Sequence, residues 1–246
     1  MSKQLLIYGR TAPITVTSHK DCSVQTNKGF AFAAGLNSAP LVAVEFAAAA
    51  LDMTIVFSGT QDSVFPSLLL GIRDGQNLFV GPDRAWTGNY IPAFLRRYPF
   101  VFSDADQNDA YTLCIDEESE ALNREGRGER LFDSQGLRSQ YLTSMLDFVT
   151  SYQGHYERTK LFCQRLVALK LLDGMQAQFT APDGRTSAVS GFLTINRDRM
   201  KAVSESDLRT MFGNDELELC YLHLQSLQNI DKLSLRSVGV TPGVSP

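Results

Sequence analysis

Between about residues 136 and 172 the apolar residues of this 246-residue chain change rhythm. Leu142, Met145, Leu146, Val149, Tyr152, Tyr156, Phe162, Cys163, Leu166 and Leu169 recur at spacings of three and four, which places them on one face of an α-helix. The spacing predicts a long amphipathic helix, with Gly154 as the point where it can break, since glycine is a poor helix former. Before it the pattern is different. There, short β-branched and apolar runs alternate with turn residues, and QLLIY (4–8), MTIVF (53–57) and YTLCID (111–116) read as strands. Strands and one helix, then a long helix, a hairpin and further helices, argue against regular βαβ alternation. The expectation is an α+β fold: a mixed or antiparallel sheet, a long amphipathic helix and a helical C-terminal part.

Local signals fill in the rest. SAPLVAVEFAAAALD reads as a helix with Ser38 as N-cap and Pro40 in its first turn. Asp74-Gly75 is a hairpin turn between VFPSLLLGI and NLFVG, and APDG joins MQAQFT to SAVSGFLTI in a second hairpin. SESD (204–207) has capping-box spacing before a short helix that Gly213 ends, and Asn214 caps a final helix to about 229. Residues 116–130, acidic and glycine-rich, read as an exposed connection, and 237–246 as a loose tail. One domain over 1–236 is expected, with lobes at about 1–130 and 131–236 as the other division.

Several function classes are disfavoured. The net charge is −4 and no basic stripe is present, which argues against nucleic acid as a partner. The run APLVAVEFAAAALDMTIVF (39–57) carries Glu45 and Asp52, and a central acid costs about 3 kcal/mol on insertion scales, so no membrane span is expected. The apolar run near the N-terminus is too short for a secretory signal. Cysteines at 22, 114, 163 and 220 form no Cys-x-x-Cys and no zinc spacing; they read as buried, reduced thiols, which suits the cytoplasm. Phosphate-loop, nucleophile-elbow and metalloprotease motifs are absent, so no cofactor, metal or catalytic residue is assigned. Asp116, Glu117, Glu118 and Glu120 lack calcium-loop spacing and read as a solvated loop.

AWTGNYIPAFLRRYPFVF (85–102) is the stretch richest in chemistry, and it contains the only tryptophan. Trp86, Tyr90 and Tyr98 can supply apolar contact, Arg96 and Arg97 bidentate recognition of a carboxylate, and Gly88 close backbone approach. The competing reading makes it a short helix (90–97) entering a strand, with the rings filling core and the arginines covering an edge. His223 and Ser226 share a helical face and are either a ligand-facing polar pair or a locally satisfied one.

The residues Trp86, Gly88, Tyr90, Pro92, Arg96, Arg97, Tyr98, Pro99 and Phe100 resemble the Trp-x-Gly-x-Tyr-x-Pro…Arg-Arg-Tyr-Pro-Phe segment of SapC-like bacterial proteins. YTLCID, RLFDSQG and LHLQSLQNIDKL extend the resemblance over about residues 5–236. It implies association with peptide-transport or surface-layer systems, and neighbours that include a flavin-dependent halogenase-like enzyme. It implies no catalytic residue. The resulting expectation is a soluble accessory protein that binds a peptide, an amino-acid-like ligand or a partner protein through Trp86, Gly88, Tyr90, Arg96, Arg97, Tyr98 and, secondarily, His223. The alternatives are an enzyme acting on peptides or small aromatic substrates, and a structural surface-layer component.

Overall fold

The computed structural model describes residues 6–60, 63–103, 111–180 and 186–237. In chain order the first elements are β1 (Thr11–Pro13), α1 (Val16–His19), β2 (Ser23–Val24), β3 (Ser38–Pro40), α2 (Phe46–Ala49), β4 (Thr54–Ser58) and β5 (Phe65–Leu69). Then come α3 (Ala93–Arg96), β6 (Phe100–Ser103), β7 (Thr112–Asp116), β8 (Leu122–Asn123) and β9 (Glu129–Arg130). Helix α4 (Gln140–Ala168) leads to a hairpin, β10 (Leu172–Thr180) and β11 (Thr186–Ile195). The chain ends in α5 (Arg197–Lys201), α6 (Glu205–Gly213), α7 (Glu216–Ser226) and α8 (Ile230–Ser237).

The strands make three antiparallel sheets, ordered β1-β7-β6, β10-β11-β4-β5-β3 and β8-β2-β9. The fold is therefore α+β. Helix α4 runs unbroken through Gly154, and at 29 residues spans about 43 Å. Open space around Gly154 and the packed residues on either side make the glycine tolerable. The two halves of α4 serve different cores. Leu142 and Val149 pack with Val24, Phe100, Ile115 and Leu131 beside the small sheets. Phe162, Cys163 and Leu166 pack with Phe46, Phe57, Leu68, Phe94 and Cys220 against the large sheet. Burying one such leucine or phenylalanine contributes about 1.5–3 kcal/mol, so the period of three and four is held by two cores at once.

Strand β4 is buried on both faces, and its pairing with β11 is reduced to Leu193 opposite Phe57. Helix α7 closes the splay. The Ser226 hydroxyl accepts from Ile55 N (3.0 Å) and donates to His223 O (2.7 Å), while His223 Nε2 accepts from Ile195 N (3.1 Å). The amide of Asn229 donates to Ala50 O and Met53 O, at 2.8 and 3.0 Å, just before β4 begins.

Several expectations are corrected. Residues 38–40 form edge strand β3, not a helix start: Ser38–Pro40 pairs with Leu69–Ser67, and Pro40 is tolerated where a strand lies at an edge. Helical structure begins only at Ala43, where Glu45 reaches back to Val42 N (3.1 Å). Residues 6–8 are turn and irregular rather than strand, and residues 4–5 lie outside the described residues. Asp74-Gly75 does turn, with Gly75 at φ 72°, but NLFV does not form a strand. Asn77 ties that segment to Ala33 O (2.9 Å), and Phe79 O accepts from Thr87 N (2.8 Å) instead of from β5. The 116–130 connection holds β8 and β9, and Asp116 and Ser119 in it are buried. Asp215, at φ 62°, and not Asn214, precedes α7, and 3-10 and α8 turns extend the helical end to Ser237. The APDG turn and residues 238–246 lie outside the described residues.

Candidate functional site

A groove of about 590 Å³ opens where five segments far apart in sequence meet, one of them the stretch of Ile7 and Gly9. Its apolar walls come from Phe30 and Phe32 on the 24–32 loop, Leu95 and Pro99 around α3, and Tyr141 and Met145 on α4. Its polar lining comes from Lys28, Arg96, Tyr98 and the turn Asp116–Glu120. The volume lies in the range of small-ligand sites. A second cleft, of about 760 Å³, lies between α4 and the α6–α7 junction. There Arg165 pairs with Glu216 (2.7 Å) and Arg158 with Asp215 (3.7 Å), while Asp207 accepts from the Ser204 hydroxyl.

Asp116 organises one wall of the groove. Its buried carboxylate accepts from Gly9 N (3.1 Å), Arg10 N (3.0 Å), Glu118 N (3.1 Å) and the Tyr98 hydroxyl (3.1 Å). The Glu118 N–H bonding back two residues makes an Asx turn, which swings Glu118 over Gly9. Burial pushes the Tyr98 hydroxyl up to about 12; Ser119 opposes this by a hydrogen bond, and the Asp116 charge adds to it. The phenol therefore keeps its proton and donates it to Asp116. The Tyr98 ring stacks on Phe32 at 4.0 Å between centroids. From there the rings continue through Phe30 (5.9 Å from Phe32) to Trp86 (5.6 Å from Phe30) and on to Phe79 (5.4 Å).

The residues singled out in the sequence fall into two groups. Arg96 and Tyr98 line the groove. Arg96 is exposed; its Nε donates to Ile91 O (3.0 Å), Nη2 approaches the Tyr90 hydroxyl (3.4 Å), and the guanidinium lies 5.2 Å above the Phe148 ring. The others build the scaffold. Trp86, half-buried, donates from Nε1 to Tyr90 O (2.8 Å). Gly88 passes so close that a Cβ there would meet Phe79 Cδ1 and Trp86 Nε1, both at 2.9 Å. Tyr90 donates to Glu45 Oε1 (2.7 Å), which also accepts from Ala93 N (2.7 Å). Burial raises the Glu45 carboxyl above its usual range, and burial together with the Glu45 charge raises the Tyr90 hydroxyl. Arg97 is 1% exposed and sits among Tyr152, Phe94 and Tyr8, with ring centroids at 4.7, 4.9 and 5.8 Å. His223 is fully buried beside Phe57, and desolvation lowers it to about 4, so it is a neutral acceptor for Ile195 N.

The sequence alone does not single out Phe30, Phe32, Lys28, Tyr141 or Met145, and it leaves Glu118 in a solvated run. The loop residues lack any period, and the two helix residues look like ordinary face positions. The one readable signal is Asp116 at the end of an apolar strand, followed by Glu-Glu-Ser, an Asx-turn pattern.

Among the described residues no group of three or more His, Cys, Asp or Glu is placed to hold a metal, and no helix is long and apolar enough to cross a membrane. No curated protein and no solved structure matches the chain. A family model described as SapC matches residues 14–233, which takes in every wall of the groove except Ile7 and Gly9, and the chain belongs to the SapC family.

Proposed function

We propose that this SapC-family chain is an accessory binding protein whose groove takes a peptide or amino-acid-like ligand carrying an apolar side chain. The observation that carries this reading is the groove itself. Rings and aliphatic groups from five segments line a volume of about 590 Å³, with Arg96 on the Phe148 side. Two of the five N–H groups of Arg96 face protein oxygens, which leaves others for a ligand carboxylate. Binding is favoured over catalysis because Asp116, the buried carboxylate of the wall, is committed to four donors and has no lone pair to spare for proton transfer. The two cores lean on one helix, which supports treating 1–236 as one domain. Four buried cysteine thiols suit a reducing, cytoplasmic setting.

Trp86 supplies the assay, because the ring series couples it to Phe30 in the groove wall. Titration with a panel of unblocked dipeptides bearing leucine, phenylalanine or methionine should give a saturable change in Trp86 emission. Arg96→Ala or Met145→Gln, with unchanged thermal unfolding, should weaken it. No saturation by any member at millimolar concentration would reject the groove as the site.

A further inference from the structure

We infer that a third cavity, sharing no residue with the groove, binds a neutral polyhydroxyl ligand of monosaccharide size. It lies where the large sheet comes apart. Strands β4 and β11 pair at Phe57 and Leu193. Toward Ile55 and Ile195, α7 closes the space between them, with Ser226 Oγ and His223 Nε2 accepting the two backbone N–H groups. Toward Ser58 and Ser190 the lining includes no helical residue, and a pocket of about 440 Å³ opens instead. The opening is built into β11. Met175 pairs with Phe192 and Ala177 with Val189, so Ser190 and Gly191 both stand opposite Gln176, a β-bulge with Gly191 at φ 85°. A bulge bends its strand, and this one falls where β11 leaves β4.

What the cavity offers is chiefly hydroxyl and amide. The Ser58 and Ser67 oxygens lie 2.9 Å apart in its lining, and either can be the donor. Ser67 is 5% exposed, and its partners across the ladder, Val56 and Pro40, are buried. A hydroxyl there adds nothing to apolar packing and is costly unless bonded. Ser38 and Ser190 add hydroxyls from β3 and β11. At the rim Asp74 accepts from Asn37 Nδ2 (2.8 Å), and Arg73 makes no ion pair or hydrogen bond among the described residues. These two are the charged residues of the lining and have opposite signs, so the pocket is neutral. A phosphate or carboxylate would meet the Asp74 carboxylate, and a wholly apolar ligand would set the Ser67 hydroxyl against carbon. A ligand with several hydroxyls meets both needs, since each one donates and accepts. Neighbouring hydroxyls also match the paired N–H groups of a guanidinium or the paired oxygens of a carboxylate. Leu69, Ile72 and Phe192 supply apolar surface for the C–H faces of a sugar ring.

The probes are D-glucose, D-galactose and D-mannose with their methyl glycosides, titrated calorimetrically into the full chain alongside inorganic phosphate. At least one sugar should saturate at millimolar concentration, and phosphate should not. Tightest binding by a free sugar assigns a free ligand, and tightest binding by a glycoside assigns the end of a glycan. Arg73→Ala should weaken the bound sugar about tenfold, the scale of one charge-assisted hydrogen bond. Ser190→Leu, at an exposed strand position, should fill the cavity and weaken binding at least as much, with thermal unfolding unchanged. Saturation by phosphate alone, or by none of these probes, would overturn the inference. So would a sugar affinity that either variant leaves unchanged.

Discussion

Lowering the pH from 7 to 5 should destabilise this protein by about 2 kcal/mol through His223 alone. The imidazole is fully buried in α7, its Nε2 accepts from Ile195 N at 3.1 Å, and the Phe57 ring lies 5.0 Å away. Desolvation lowers it from its ordinary 6.5 to about 4. Protons therefore bind the unfolded chain more readily than the folded one. The stability contribution of His223 is complete above about pH 6.5 and is lost as the pH falls toward 4. With those two values the linkage relation gives a loss of about 2 kcal/mol by pH 5 and about 3 kcal/mol by pH 4. Protonation also turns the acceptor facing Ile195 N into a donor, so charge and hydrogen bond fail together. Carboxylates titrate in the same window, and the measurement must remove their share. His223→Gln does so, because its amide oxygen can still accept from Ile195 N but does not titrate. Urea unfolding of both proteins at several pH values between 7 and 5 should show the wild type losing about 2 kcal/mol more than the variant. Parallel pH profiles would refute the neutral, buried acceptor and the seam it closes between β4 and β11.

Two further outcomes separate residues that the sequence places side by side. Arg97→Ala should cost about 3 kcal/mol in urea unfolding, because three rings lose the group that fills the space between them, while exposed Arg96→Ala should stay within about 0.5 kcal/mol; equal costs would contradict the assigned burial. Gly88→Ala should cost about 1–3 kcal/mol and shift Trp86 emission to the red, since the added methyl presses on both members of the Phe79–Trp86 stack, and an unchanged spectrum would count against that contact.

Much of the fold is written in local patterns. The spacing of Leu142 through Leu169 marks α4 because a helix packed along its whole length must repeat every three or four residues. Ser204 caps α6 as its motif implies, accepting from Asp207 N. Local patterns fail where one composition suits two states. Residues 38–50 have the alanines of a helix, yet Ser38–Pro40 completes the ladder of β5 by pairing with Leu69–Ser67, and that non-local gain outweighs helix propensity. The site is less visible than the fold. The Arg96-Arg97 pair reads as one feature in sequence, but consecutive positions at the end of a helical turn point in different directions, one to the groove rim and one into the core. Asp116 reads as solvated because it heads an acidic run, and two of its four donors come from Gly9 and Arg10, more than a hundred residues away in the chain.

The four buried cysteines give the protein a built-in set of opening probes. Cys22 follows α1, Cys114 lies in β7, Cys163 in α4 and Cys220 in α7, so each reports on a different element. A thiol reagent can reach each one only when its own surroundings come apart, and burial raises the Cys220 thiol to about 12, which slows its reaction further. The order in which native protein acquires label, position by position, would rank the local stabilities of the small sheets, the long helix and the C-terminal seam without any engineered substitution.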